Sequence, residues 1–170
     1  MMGNPCIQDV SFHGHESSHV GKLCLQMNCN SDCIHVLRSM VAVMTARAGM
    51  DELRSNRVAV AVDELFANIA AHAYGGKAGR VELETCICNE SGHGRALVFD
   101  FRDFASTGWA GNLKEIAEQV PDPENLTPGG LGMRLICKVS DHCEYESLAD
   151  GNHWRLIFNI NDGEKHARNA

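Results

Sequence analysis

Glu64, Asn68 and His72 recur at every fourth position of one apolar-periodic segment. On a helix that spacing stacks three side chains above one another. Each residue advances about 100°, so the stripe lies roughly 100° around the axis from the apolar face of Val58, Val62, Leu65 and Ile69. Ala61, Ala67 and Ala71 flank it. A solvated stripe ordinarily carries long charged side chains, whereas short polar groups beside alanines leave space next to them. The amide oxygen of Asn68 is a hard ligand suited to a divalent cation, and it adds no negative charge to repel an anion. One turn earlier, Glu64 can accept the proton of an attacking hydroxyl or water. His72 can orient the surrounding shell.

A second candidate begins at Gly129-Gly130-Leu131-Gly132, which opens an apolar helix from Met133 to about Val139. Unpaired backbone N–H groups and the dipole at a helix start attract phosphate, and glycines allow close approach. Together the two segments offer what a magnesium-bound triphosphate needs. Taken singly, each is weak: Glu and Asn at i, i+4 describe many solvated faces, and G-G-x-G many turns. Between them, residues 104–128 hold Pro121, Pro123 and Pro128 and only a short helical stretch around Leu113 to Gln119. A connection this long in a compact domain is usually a lid or binding loop.

The elements that must position these residues are legible in outline. Val20 to Asn28 alternates weakly and reads as an edge strand. Ser31 or Asp32 is placed to cap a helix whose face is Ile34, Leu37, Val41, Met44 and Ala48, with Gly49 ending it. The stripe helix runs from about Asp51 to Tyr74 and stops at Gly75-Gly76. Val81, Leu83, Thr85 and Ile87 then alternate against Glu82, Glu84, Cys86 and Cys88, and Ala96 to Phe101 forms a more continuously apolar strand. Asn89-Glu-Ser-Gly-His-Gly94 is the turn between them. Cys143 to Ala149 and His153 to Ile160 are strands joined by the hairpin signal Asp150-Gly151-Asn152. The expected fold is α+β: a two-layer sandwich, β-α-α-β-β-lid-α-β-β, with a mixed, mostly antiparallel sheet and helices on one face. Residues 1–19 read as a flexible arm, 20–162 as the domain and 163–170 as a tail.

Composition narrows the partners. A chain of 170 residues with 44% hydrophobic content can bury one sizeable core. The formal charge of −7 and the scattered Lys and Arg disfavour nucleic acid and acidic membranes. No apolar run approaches a membrane span and no signal-peptide pattern opens the chain, so the expected compartment is the cytoplasm. Eight cysteines without a C-x-x-C do not form a secreted disulfide pattern. Cys29 and Cys33 at a helical turn, and Cys86 and Cys88 on one strand face, leave a metal or redox sensor as a third reading.

Asp63-Glu-Leu-Phe-Ala-Asn-Ile-Ala-Ala-His-Ala-Tyr74 resembles the N box of the GHKL ATP-binding superfamily, and its ending His72-Ala73-Tyr74-Gly75 is closest to the anti-sigma-factor serine/threonine kinase branch. Gly129-Gly-Leu-Gly-Met-Arg-Leu-Ile136 is similar to that superfamily's second glycine box. Val98-Phe-Asp-Phe-Arg-Asp103 is similar to the strand leading to the first. The resemblance implies a histidine-kinase-type ATPase fold over about residues 20 to 162. It implies Glu64 as catalytic base, Asn68 as Mg²⁺ ligand, Asp103 as holder of the adenine amino group, and a phosphate lining from Gly130 and Gly132. His72, Ala105, Gly129, Leu131 and Met133 complete the expected ATP-binding set. It further implies a homodimer that phosphorylates a STAS-type anti-sigma antagonist and sequesters a sigma factor. One departure stands out: where the first box commonly reads D-x-G-x-G, this chain has Asp103-Phe104-Ala105-Ser106-Thr107. The alternative function is therefore a partner-switch binding module with a degraded ATP site.

Overall fold

The computed structural model describes residues 20–29, 33–90, 92, 94–118 and 130–160. The expected arm, the tail, the Ser31 and Asp32 caps, Pro121, Pro123, Pro128 and Gly129 lie outside them, as do Ser91 and His93 of the turn. Strand β1 (Val20–Asn28) leads to helices α1 (Cys33–Ala48) and α2 (Glu52–Asn68); β2 (Arg80–Glu90) and β3 (Gly94–Asp103) follow. Then come α3 (Leu113–Glu118), α4 (Gly130–Val139), β4 (His142–Leu148) and β5 (Gly151–Asn159).

The five strands run in the order β1-β2-β3-β5-β4, and every neighbouring pair is antiparallel. The sheet is thus wholly antiparallel rather than mixed. The physical reason lies in the last hairpin: β5 folds back and inserts between β3 and β4, so the two parallel strands never touch.

Alternation decides the faces. Val81 and Leu83 of β2, Leu97, Phe99 and Phe101 of β3, and Trp154, Leu156 and Phe158 of β5 join the main core. Leu37, Val41 and Met44 of α1, Val58, Val62 and Leu65 of α2, and Met133 and Ile136 of α4 pack with them. Helices therefore cover one face, as the periodicities require. On the other face Cys86, Cys88, Ala96, Val98 and Ile157 form a small separate cluster. Around it run ion pairs Lys22–Glu84 at 2.6 Å and Arg155–Glu90 at 2.6 Å.

Local chemistry sets the helix ends. Asp51 caps α2 by accepting the Arg54 N–H at 2.7 Å. Gly49, at φ 72°, ends α1 in the left-handed conformation that other residues avoid. The stripe helix is regular only to Asn68. Residues Ile69–Ala73 form a π turn, with the Tyr74 N–H reaching the Ile69 carbonyl at 3.3 Å and Gly76 reaching Ala70 at 3.0 Å. Such turns are wider than an α turn, so the fourfold spacing that aligns Glu64 with Asn68 does not carry on unchanged to His72.

Candidate functional site

The first turn of α4 lies against Glu64 and Asn68 of the α2 stripe. Gly132 lies so close that a Cβ there would stand 2.9 Å from Glu64 Oε2 and 3.3 Å from Asn68 Nδ2. The backbone of the glycine box and the two polar side chains thus meet, and any larger residue at 132 would push them apart. Asn68 Nδ2 donates to Met133 Sδ at 3.4 Å, which fixes the amide's orientation. Glu64 and Asn68 are both half-buried, while His72 is exposed on the π turn.

Across a cavity of about 380 Å³ stands Asp103, the last residue of β3 and 1% exposed. Its Oδ1 accepts Asn152 Nδ2 at 2.8 Å and the Ala105 N–H at 3.1 Å. Its Oδ2 is buried and has no partner at hydrogen-bond geometry, the Trp154 side chain easing its charge without meeting that geometry. Burial pushes the carboxyl above the usual carboxylate range, against the easing effect of Asn152, Ala105, Arg102 and Trp154. An orphaned acceptor in a cavity wall fits an N–H donor supplied by a ligand, such as the exocyclic amine of adenine.

Asn152 is the hub that sequence reading missed. Besides Asp103 it donates to the Thr107 carbonyl at 3.0 Å, and its Oδ1 accepts the Tyr145 hydroxyl at 2.7 Å. That hydroxyl in turn accepts the Trp109 N–H at 2.7 Å, and the Tyr74 hydroxyl accepts the Phe104 N–H at 2.9 Å. The segment after Asp103 is therefore held by side chains from β4, β5 and the bend at Tyr74. Ala105 is buried, and among the described residues no non-glycine has a positive φ, so this segment takes its path without the missing glycines. Trp109, Tyr145 and Trp154 cluster in edge-on and tilted contacts, with centroids 4.4 to 5.4 Å apart.

The hairpin turn before Asn152 is also under constraint. Gly151 has φ 143°, and a Cβ there would meet the Asp103 carbonyl oxygen at 2.0 Å. Gly151→Ala is expected to lower stability by about 1–3 kcal/mol, as forced backbone strain does. It should also weaken nucleotide binding, because relief of the clash displaces Asp103. Denaturant unfolding and calorimetry on the same variant check both.

The cavity is lined by four of the expected residues, Asn68, His72, Asp103 and Met133. Its flank of Ile69, Ala73, Trp109 and Trp154, with Thr107 and Asn152, was not foreseen. Glu64 and Gly132 meet at its α2–α4 edge, and Ala105 sits beneath Asp103. Gly130 and Leu131 open α4; the Leu131 side chain is 51% exposed, so only its backbone is placed for a ligand there. Gly129 lies outside the described residues. Asn152 could have been flagged only as a polar residue ending a hairpin signal, which gives no hint of a partner 49 positions earlier.

A five-stranded antiparallel sheet with helices on one face, and a cavity between a carboxylate at a strand end and a glycine-led helix, defines an α+β nucleotide-site protein. The chain belongs to the histidine kinase-like ATPase domain family, whose profile matches residues 30–158. It is an ATP-binding domain of that family, consistent with the GHKL superfamily. No curated protein matches the chain.

Proposed function

We propose that this domain, taken as residues 20–162, is an ATP-dependent protein serine/threonine kinase of the anti-sigma type. In this reading it works in the cytoplasm as a homodimer, phosphorylates a STAS-type antagonist protein and sequesters a sigma factor or similar regulator. The observation that carries it is the meeting of Glu64 and Asn68 with Gly132 at the edge of the cavity.

Each residue then has a role. Asp103 Oδ2 accepts the adenine amine, with Trp109, Trp154, Ile69 and Met133 flanking the base. The first turn of α4, from Gly130 through Leu131 to Gly132, offers its N–H groups to phosphate oxygens. Among the described residues no cluster of three or more His, Cys, Asp or Glu could hold a metal by itself. A cation at Asn68 therefore depends on oxygens from the phosphates and water. Bound Mg²⁺ would neutralise charge on the transferring phosphate. Glu64, one turn from Asn68, accepts the proton of the attacking hydroxyl. The hydrogen-bonded path of residues 103–109 supports a working pocket despite the lost glycines, and so favours the kinase over the partner-switch module.

Calorimetry with Mg-ATP on the wild type and Asn68→Ala tests the site. The expected result is magnesium-dependent binding that weakens by roughly tenfold or more in the variant, the scale seen when a metal's supporting groups are removed. Incubation with ATP and a panel of antagonist-type domains tests the reaction. A partner bound tightly but never phosphorylated would overturn the kinase reading and leave the binding module.

A further inference from the structure

Tyr145 stands in the middle of β4, the edge strand beyond β5, and does not itself line the cavity. Strand register nonetheless brings it beside the site: Tyr145 pairs with Trp154, and Asn152 of the same β5 pairs with Asp103. The Tyr145 ring packs on Trp154 at a centroid distance of 4.4 Å and on Trp109 at 5.4 Å, which fixes where its hydroxyl can reach. There the hydroxyl meets the Trp109 N–H at 2.7 Å and Asn152 Oδ1 at 2.7 Å. The spot is closely packed, since a Cβ on Gly108 would stand 3.4 Å from the hydroxyl and 3.3 Å from Ser147 Oγ.

Counting donors and acceptors gives these bonds one direction. The Thr107 carbonyl and the ionised Asp103 carboxylate can only accept, so Asn152 must turn its NH₂ toward them, at 3.0 and 2.8 Å. Its oxygen then needs a donor. The Trp109 N–H can only donate, so the Tyr145 hydroxyl accepts there and gives its single proton to Asn152. A flipped amide would set its oxygen against two acceptors. Held this way, Asn152 and the Ala105 N–H occupy Asp103 Oδ1, and Oδ2 is the oxygen left for a ligand.

We propose that Tyr145 is a positioning residue for base recognition: through Asn152 its hydroxyl holds the Asp103 carboxylate so that the site prefers a 6-amino purine to a 6-oxo purine. This rests on the reading that Asp103 meets the adenine amine. A 6-amino purine brings a donor to Oδ2, whereas a 6-oxo purine brings an oxygen that a carboxylate repels. The distinction lasts only while the carboxylate cannot turn. Without the hydroxyl, the Asn152 oxygen loses its donor and the amide is free to rotate, releasing Oδ1. Asn152 is also the leading group that eases the Asp103 charge against burial. The groups that face phosphate, Asn68 and Gly132, belong to α2 and α4 instead, so contacts common to both nucleotides stay in place.

The test measures the affinities of Mg-ATP and of magnesium inosine triphosphate by calorimetry on the full chain, as wild type, Tyr145→Phe, Asn152→Ala and the double variant. Wild type should bind ATP about ten- to a hundredfold more tightly than the 6-oxo nucleotide. Tyr145→Phe should shrink that ratio by about three- to tenfold, the worth of one neutral hydrogen bond, through weaker ATP binding alone. Phe keeps the ring that packs on the two tryptophans, so the variant should fold. On the Asn152→Ala background the same change should move the ratio by less than about twofold, as expected of a residue that acts through Asn152. A ring that only supported the fold would lower both affinities alike, and that result would overturn the proposal. So would an unchanged ratio in Tyr145→Phe, or an equal fall on both backgrounds. A wild type that binds the two nucleotides equally, or neither, would overturn the reading of Asp103 itself and this proposal with it.

Discussion

Glu64→Gln should lower phosphotransfer to a serine-bearing protein substrate by about 10²–10⁴-fold, the usual worth of a positioned general base, while Mg-ATP affinity stays nearly unchanged. Gln keeps the shape that packs against Gly132 and removes only the ability to take a proton. Glu64 stands at the α2–α4 edge and is not among the residues lining the cavity. The swap conserves size and removes one half-buried charge, so stability should hold. Single-turnover transfer measured beside calorimetry separates the possibilities. Retained transfer would mean that another group takes the proton. Loss of affinity along with transfer would move Glu64 from proton acceptance to nucleotide binding.

What the sequence disclosed about this site depends on how local the interaction is. Glu64 and Asn68 are neighbours because an α-helix makes i, i+4 residues neighbours, and that relation is written in the spacing. The glycine box is local too, being a helix start. By contrast, Asn152 reaches Asp103, Thr107 and Tyr145 only because β5 inserts between β3 and β4, which brings Asp103 and Asn152 into register. No periodicity encodes that insertion; the hairpin signal at Asp150-Gly151-Asn152 is satisfied by either strand order. The same holds for the wall of Trp109 and Trp154, one from a loop and one from a strand. The π turn at Ile69–Ala73 escaped for another reason: its residues have ordinary helical composition, and only the widened hydrogen bonds mark it.

The departure at Ala105 concerns a segment whose path is held by interactions that the residue pattern does not display. Glycines in such a box suggest a need for positive φ or close approach. Here the chain between Asp103 and Trp109 is instead fixed by donors and acceptors from Tyr74, Tyr145 and Asn152. Close approach has moved to Gly151 on the facing hairpin, where a Cβ would collide with the Asp103 backbone. Conformational freedom lost at one element is supplied by another that sequence order does not link.

Asp103→Asn should weaken adenine-nucleotide binding by about ten- to a hundredfold, the worth of one hydrogen bond to a charged group, without destabilising the fold at neutral pH. Asn can still accept from Asn152 and Ala105 through its carbonyl oxygen. At the other position an acceptor becomes a donor, which meets the adenine amine as donor against donor. The stability effect carries a sign. Burial raises the folded-state carboxyl above its unfolded value, so the folded chain holds this proton more tightly. Asp103 therefore favours folding most at low pH, and that contribution is lost as pH rises through the folded-state value. Above it, the buried charge opposes folding. Asn has no such titration, so the stability of the variant relative to wild type should climb as pH rises through that window and then level off. Urea unfolding from acid to neutral pH measures the difference directly. A flat difference would mean that Asp103 titrates alike in both states, and undiminished affinity would mean that its free oxygen is not what the base meets.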